Sequence, residues 1–163
     1  MKNNSFSLED NEFKFDEVDI IGIEKNFSQN KEILKLYYSD PNRDQFELAK
    51  GEEDSMRHEL KLCQTKLSTL KYNPFFRVND TLINSEKVES INLDENMAYI
   101  LKLEMENGNS YELYHGFNSK MADIFLSQYE DGLKMCQILK NSSKIKDCDS
   151  EDRTEEVFNS LEQ

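Results

Sequence analysis

Apolar positions along the chain change their period in one order, and they do so twice. Val18, Ile21 and Ile23, then Leu34, Leu36 and Tyr38, then Phe46 and Leu48 carry the near-alternation of half-buried strands. Met56, Leu60, Cys63, Leu67 and Leu70 follow at spacings of four, three, four and three, which lays one stripe along a helix. The Ile20-Ile21 doublet breaks strict alternation and predicts a bulge near Gly22. Asp40-Pro41-Asn42 supplies a turn, Gly51 ends the sheet, and Asp54 or Ser55 is placed to cap the helix. Three antiparallel strands closed by a helix are expected.

The same plan then returns. Phe13, Val18, Ile21, Ile23, Glu24 and Asn26 recur as Ile83, Val88, Ile91, Leu93, Asp94 and Asn96, at a constant offset of 70 residues. After a three-residue deletion Ile33-Leu34-Lys35-Leu36 reappears as Ile100-Leu101-Lys102-Leu103. After two more, Phe46-Glu47-Leu48, Gly51 and Met56 reappear as Tyr111-Glu112-Leu113, Gly116 and Met121. The gaps fall at turns, and the helix keeps its Met in register, which generic alternation does not reproduce. The second helix is expected from an Asn118 or Ser119 cap through Met121, Ile124, Phe125, Tyr129, Leu133, Cys136 and Leu139, disturbed at Gly132.

The fold class that follows is α+β: two tandem units, each an antiparallel three-stranded sheet plus a helix (βββα duplicated), with an acidic tail. Residues 1–12 hold little besides Phe6 and Leu8 that can pack and read as a flexible acidic arm. Residues 13–72 form the first unit. Residues 73–140 form the second, opened by Asn73-Pro74 and by strand-like Phe75–Val78 and Leu82-Ile83 around an Asn79-Asp80 turn. Residues 141–163 read as a disordered acidic tail in which only Val157, Phe158 and Leu161 are apolar enough to add a short helical turn.

Charge narrows the function classes. The formal net charge is -13 over 163 residues, and the acidity sits at the ends: residues 1–24 carry seven acids and two bases, and residues 147–163 carry seven acids and Arg153. Phosphates need cationic neutralisation, so direct binding of nucleic acid or of an anionic membrane is disfavoured. No apolar run approaches the roughly 20 residues of a membrane span, so a soluble, cytoplasmic protein is expected. Lys and Asn are plentiful and Trp is absent, a bias that fits an A+T-rich bacterial or phage genome.

Candidate chemistry is sparse. Cys63, Cys136 and Cys148 are an odd number without metal spacing and are expected as reduced thiols. His58 and His115 have no Cys or carboxylate at a metal spacing, and neither a Gly-rich phosphate loop nor a nucleophile elbow occurs. Asp147, Asp149, Glu151 and Asp152 match a calcium loop in composition only, lacking its central Gly and terminal Glu. The expectation is a non-catalytic protein without metal or cofactor.

The second hairpin adds one clue. A two-residue turn at Asn107-Gly108 would pair Leu103 with Glu112 and mix faces. A three-residue loop, 107–109, instead pairs Met105 with Tyr111 and Leu103 with Leu113, with Gly108 or Asn109 left-handed. Glu104 then faces Glu112, with Glu106 on the same outer face, a cluster that favours a cation. A solvated face relieved by Lys102 is the plain alternative.

The stretch Ile100-Leu101-Lys102-Leu103-Glu104-Met105-Glu106-Asn107-Gly108-Asn109-Ser110-Tyr111-Glu112-Leu113, with the helix from Ser119, resembles the hairpin-plus-helix of small acidic phage anti-CRISPR proteins that inhibit Cas nucleases. The present chain is longer, duplicated and less acidic in its middle. The resemblance implies occupation of a basic, nucleic-acid or PAM-reading surface of a partner by Glu104, Glu106 and Glu112, with Tyr114 beside them. Strands followed by a closing helix also look like pleckstrin-homology-type adaptor modules. An immunity protein against a basic nuclease toxin would use the same electrostatics. A homodimer through exposed outer strands stays open.

Overall fold

The computed structural model describes residues 4–26 and 29–152, with side chains described as far as Ser142. The chain is α+β, with ten strands in three antiparallel sheets and two α-helices among the described residues. A hairpin, β1 (Ser5–Leu8) and β2 (Asn11–Lys14), leads through a short 3-10 turn into β3 (Val18–Asn26), β4 (Lys31–Tyr38), β5 (Phe46–Gly51) and α1 (Glu53–Ser68). A second hairpin, β6 (Phe75–Val78) and β7 (Thr81–Asn84), leads into β8 (Val88–Asp94), β9 (Tyr99–Met105), β10 (Ser110–Gly116) and α2 (Ser119–Asp152).

Sheet membership does not follow that order. β8, β9 and β10 form a three-stranded sheet, and β1 and β2 pair only with each other. The second hairpin instead joins the first half in a five-stranded sheet of order β5-β4-β3-β7-β6, through Ile20↔Ile83, Ile21↔Leu82 and Gly22↔Thr81. Residues 73–84, assigned from sequence to the second unit, therefore supply two strands of a sheet that begins in the first.

Strand alternation makes that sheet a partition between two cores. Ile21, Leu34, Leu36, Phe75 and Leu82 point to one side, where α1 lays down Met56, Leu60, Cys63 and Leu67. Ile20, Phe76 and Ile83 point to the other, where they meet Leu101, Leu103 and Met105 of β9 and Phe125 and Tyr129 of α2. Two thin cores sharing one sheet replace the single core that neither half could build alone.

The arm expected at residues 1–12 is structured from Asn4 onward. Glu9 and Asp10 both take positive φ, closing a tight turn that aligns Phe6 with Phe13. Phe6 and Leu8 are buried at 3% and 1% exposure. The Phe6 ring packs 4.8 Å from Phe15, 5.6 Å from Phe13 and 5.6 Å from Phe75, so the hairpin lids the first core with aromatic area.

The helices correct four further expectations. Glu52, not Asp54 or Ser55, precedes α1; it makes no side-chain cap, and Glu53 and Asp54 in the first turn face the positive end of the helix dipole instead. Asn118 does cap α2, its Oδ1 accepting from the backbone N–H of Lys120 and Met121. The helix then runs through Gly132 undisturbed. A Cβ at that position would collide with the Phe76 ring, so glycine is what lets α2 lie close on β6. The pairing of Met56 with Met121 is off by one: Ala122 is fully buried in the place corresponding to Met56, while Met121, Ile124 and Leu139 face outward. The backbone remains helical to Asp152, so a disordered tail does not begin at 141, and residues 153–163 lie outside the described residues.

Candidate functional site

Two bulges define the chemistry of the molecule. In the β3–β4 ladder the register slips between Val18 and Ile20, leaving Asp19 as the extra residue, three residues before the predicted Gly22. In the β8–β9 ladder it slips between Val88 and Ser90, leaving Glu89. A bulge turns its extra side chain out of the normal alternation. Each of these two delivers a carboxylate.

Asp19 is fully buried. Its carboxylate accepts from Ser39 Oγ at 2.7 Å, Tyr111 Oη at 2.8 Å and Asn109 Nδ2 at 3.0 Å, with Asn107 Nδ2 at 3.4 Å. Asn107 and Asn109 also donate to the Ser39 carbonyl, at 2.8 and 3.0 Å. The loop between β9 and β10 thus plugs into the first half, with Gly108 at φ +94° making its tip. A buried carboxylate with neutral donors on all sides is tolerable only while every donor stays in place. Burial first, and then the hydrogen bond to Asp19, raise the Tyr111 pKa, so the phenol remains a donor. Beside this clamp the Tyr37 and Tyr111 rings meet edge-on at 5.5 Å.

Glu89 has no such cover. It is exposed, and the ladder brings it close to Glu104, opposite Ser90 on β9, and to Glu106, whose N–H bonds the Lys87 carbonyl. None of the three has an ion pair among the described residues. Glu89 and Glu106 also border a cleft of about 1080 Å³ between the second hairpin and α2, floored by Phe76, Leu133 and Cys136. At its far wall Lys140 Nζ lies 2.8 Å from Glu86 Oε1.

The cluster expected from sequence is thus rearranged. Ser110 pairs with Glu104, Tyr111 with Leu103 and Glu112 with Lys102, so Glu104 does not face Glu112 and Leu103 does not pair with Leu113. A further bulge, at Leu113, is the reason: the extra residue lets both Tyr111 and Tyr114 point inward while Glu112 sits opposite a cation. Glu112 also has His115 Nδ1 at 3.5 Å. Tyr114 packs half-buried against the second core, 5.5 Å from the Phe125 ring, and its hydroxyl accepts from the Asn118 N–H. Of the four candidates, Glu104 and Glu106 lie together, Glu112 lies one row away, and Tyr114 is half-buried against the second core.

Elsewhere the titratable groups are held by packing. Burial pushes the Cys63 thiol up to about 11, well away from a reactive thiolate, and raises that of Cys136, whose Sγ lies 3.6 Å from the Pro74 carbonyl. His58 is exposed on α1. Arg57 and Arg77 converge on Asp80, at 3.4 and 3.8 Å. Among the described residues no group of three or more His, Cys, Asp or Glu is arranged to hold a metal ion, and no helix is long and apolar enough to cross a membrane.

Comparison of the chain with protein-family models, with curated proteins and with solved structures gives no match.

Proposed function

We propose that the chain is a non-catalytic acidic binder that occupies the basic surface of a nucleic-acid-handling protein, as an anti-CRISPR or other anti-defence inhibitor of phage type does. The observation that carries the reading is the placement of Glu89, Glu104 and Glu106 at neighbouring positions at one end of the β8–β9 ladder, without an ion pair among the described residues. Carboxylates spaced along a strand end can pair with lysines and arginines that otherwise grip phosphate. On a protein of net charge -13, they would also steer a cationic partner into contact. Glu112 adds charge one row away, while Tyr114 acts only by positioning the sheet on α2.

The scaffold reads as a duplicated unit, and the bulges support this more strongly than apolar spacing does. Val18/Ile20 and Val88/Ser90 slip at an offset of 70 residues. In the next ladder each half again has one extra residue: Leu48, between Ala49↔Leu34 and Glu47↔Lys35, and Leu113, between Tyr114↔Leu101 and Glu112↔Lys102. The unit so repeated is larger than βββα, because a hairpin precedes each set of three strands.

The test is capture from a bacterial lysate on the immobilised chain at low and moderately high salt, beside a Glu89→Lys, Glu104→Lys, Glu106→Lys variant. Recovery of a nucleic-acid enzyme that salt releases, and that the variant fails to hold, is the expected result. A complex that resists salt, with a protein unrelated to nucleic acid and indifferent to the three charges, replaces this reading with that of an adaptor.

A further inference from the structure

We infer that the free edge of β8, at Ser90–Asn92, accepts a basic extended segment of a partner protein as an added antiparallel strand. The inference rests on the partner reading above and specifies how that partner is gripped.

Its basis is a place the protein fills once and leaves open once. Ile20, Ile21 and Gly22 of β3 pair with β4 on one side and with β7 on the other. Ser90, Ile91 and Asn92 stand at the same distance beyond the second bulge, yet among the described residues β8 pairs only with β9. The bulge is no obstacle to a new strand, since β7 pairs immediately after the bulge at Asp19. Ser90 and Asn92 are exposed, while Ile91 and Leu93 are half-buried against the second core, leaving apolar area for an incoming side chain. Unsatisfied strand edges with an adjacent apolar strip are what strand addition uses.

The chemistry of the occupant follows from what lies around that edge. Glu89, Glu104 and Glu106 bracket the start of the strand, so lysine or arginine beside an apolar residue opposite Ile91 satisfies both demands. A second copy of this chain is the wrong occupant. Its counterpart of β7 is β2, and the residue standing where β7 has buried Leu82 is Glu12. Docking would press Glu12 against Ile91 beside three glutamates, at a cost in desolvation and repulsion. Phe13 of β2 is already committed to its own core, 5.2 Å from Phe46.

The test uses the full chain labelled for amide spectroscopy and three synthetic peptides: Thr-Leu-Ile-Asn, the sequence of β7, flanked by lysines; the same flanked by glutamates; and the lysine form N-methylated along its backbone. The lysine peptide should shift the Ser90–Asn92 amides and slow the exchange of those among them that point away from β9. The glutamate peptide and a Glu89→Lys, Glu106→Lys chain should each weaken binding about 10-fold or more. The N-methylated peptide should not bind. Shifts centred on β10 or β5, equal binding of the N-methylated form, or no binding of the lysine form overturn the inference. If the charge-reversed chain loses a captured nucleic-acid enzyme while the peptides leave Ser90–Asn92 unmoved, the edge is wrong and the acidic surface stands. If the lysine peptide docks there but no such enzyme is captured, the edge stands and the partner class falls.

Discussion

The bulge at Asp19 and the bulge at Glu89 put the same kind of group at the same place in two ladders, and the surroundings make opposite use of it. Around Asp19 the loop of Asn107 and Asn109, the Ser39 hydroxyl and the Tyr111 phenol exclude water and satisfy the carboxylate, which becomes internal cement between the halves. Around Glu89 nothing closes over, and the carboxylate stays in solvent beside Glu104 and Glu106. The backbone irregularity sets where a carboxylate points. What covers it decides whether its role is folding or recognition.

Substitutions at the two sites should therefore behave very differently. Asp19→Ala takes from the half-buried Ser39, Asn109 and Tyr111 donors the buried carboxylate they share and leaves its site empty, and a loss of about 3 kcal/mol is expected in urea unfolding. A loss under about 1 kcal/mol would show that water replaces the carboxylate and that the clamp is loose. Gly132→Ala, which drives a methyl into the Phe76 ring beneath α2, should cost about 1–3 kcal/mol despite the better helix propensity of alanine. Stabilisation instead would mean that α2 stands off the sheet. Tyr111→Phe removes one hydroxyl from the clamp and should cost about 1 kcal/mol, with thermal unfolding still cooperative.

Glu32 offers a smaller effect with a definite sign. Its pKa is raised, first by burial and then by Glu53, so the folded state holds that proton more tightly than the unfolded chain does. Its contribution to stability therefore falls as pH rises above about 4.5, the ordinary value for the group. Glu32→Gln should raise the midpoint of thermal unfolding at pH 7, and the gain should vanish at pH 3. A gain that persists at pH 3 would assign it to packing. Glu89→Ala, the counterpart of Asp19→Ala, should stay within about 0.5 kcal/mol of the parent while weakening partner binding.

Much of the strand and helix content is legible in the sequence because apolar alternation and a four-three stripe are local signals. Leu34, Leu36 and Tyr38 point inward as their spacing requires, and so do Met56, Leu60, Cys63 and Leu67. The first hairpin is illegible for the opposite reason: Phe6 and Leu8 stand among polar residues, and only distant Phe75 and Phe46 reveal what its face packs on. Partner choice is no more local. Thr81–Asn84 reads as a strand, but its pairing with β3 depends on both faces being buried at once, which only the assembled sheet provides. The candidate site is half legible. Glu104 and Glu106 sit where alternation places solvent-facing residues near the hairpin loop, but the extra residue at Leu113 moves Glu112 away and turns Tyr114 in. Glu89 is missed altogether, although Val88 and Ile91, three apart like Val18 and Ile21, are the trace its bulge leaves in the sequence.

The five-stranded sheet has a consequence for how the gene can be cut. A product ending at Tyr72 would keep α1 and the aromatic lid but lose β6 and β7, baring Ile20, Ile21 and Gly22 along a sticky margin. The complementary fragment would carry those two strands with no ladder to join. Co-expressed, the pieces should find each other and rebuild one soluble particle; made separately, the first should precipitate, so any shortened version intended for use must keep the residues through Asn84.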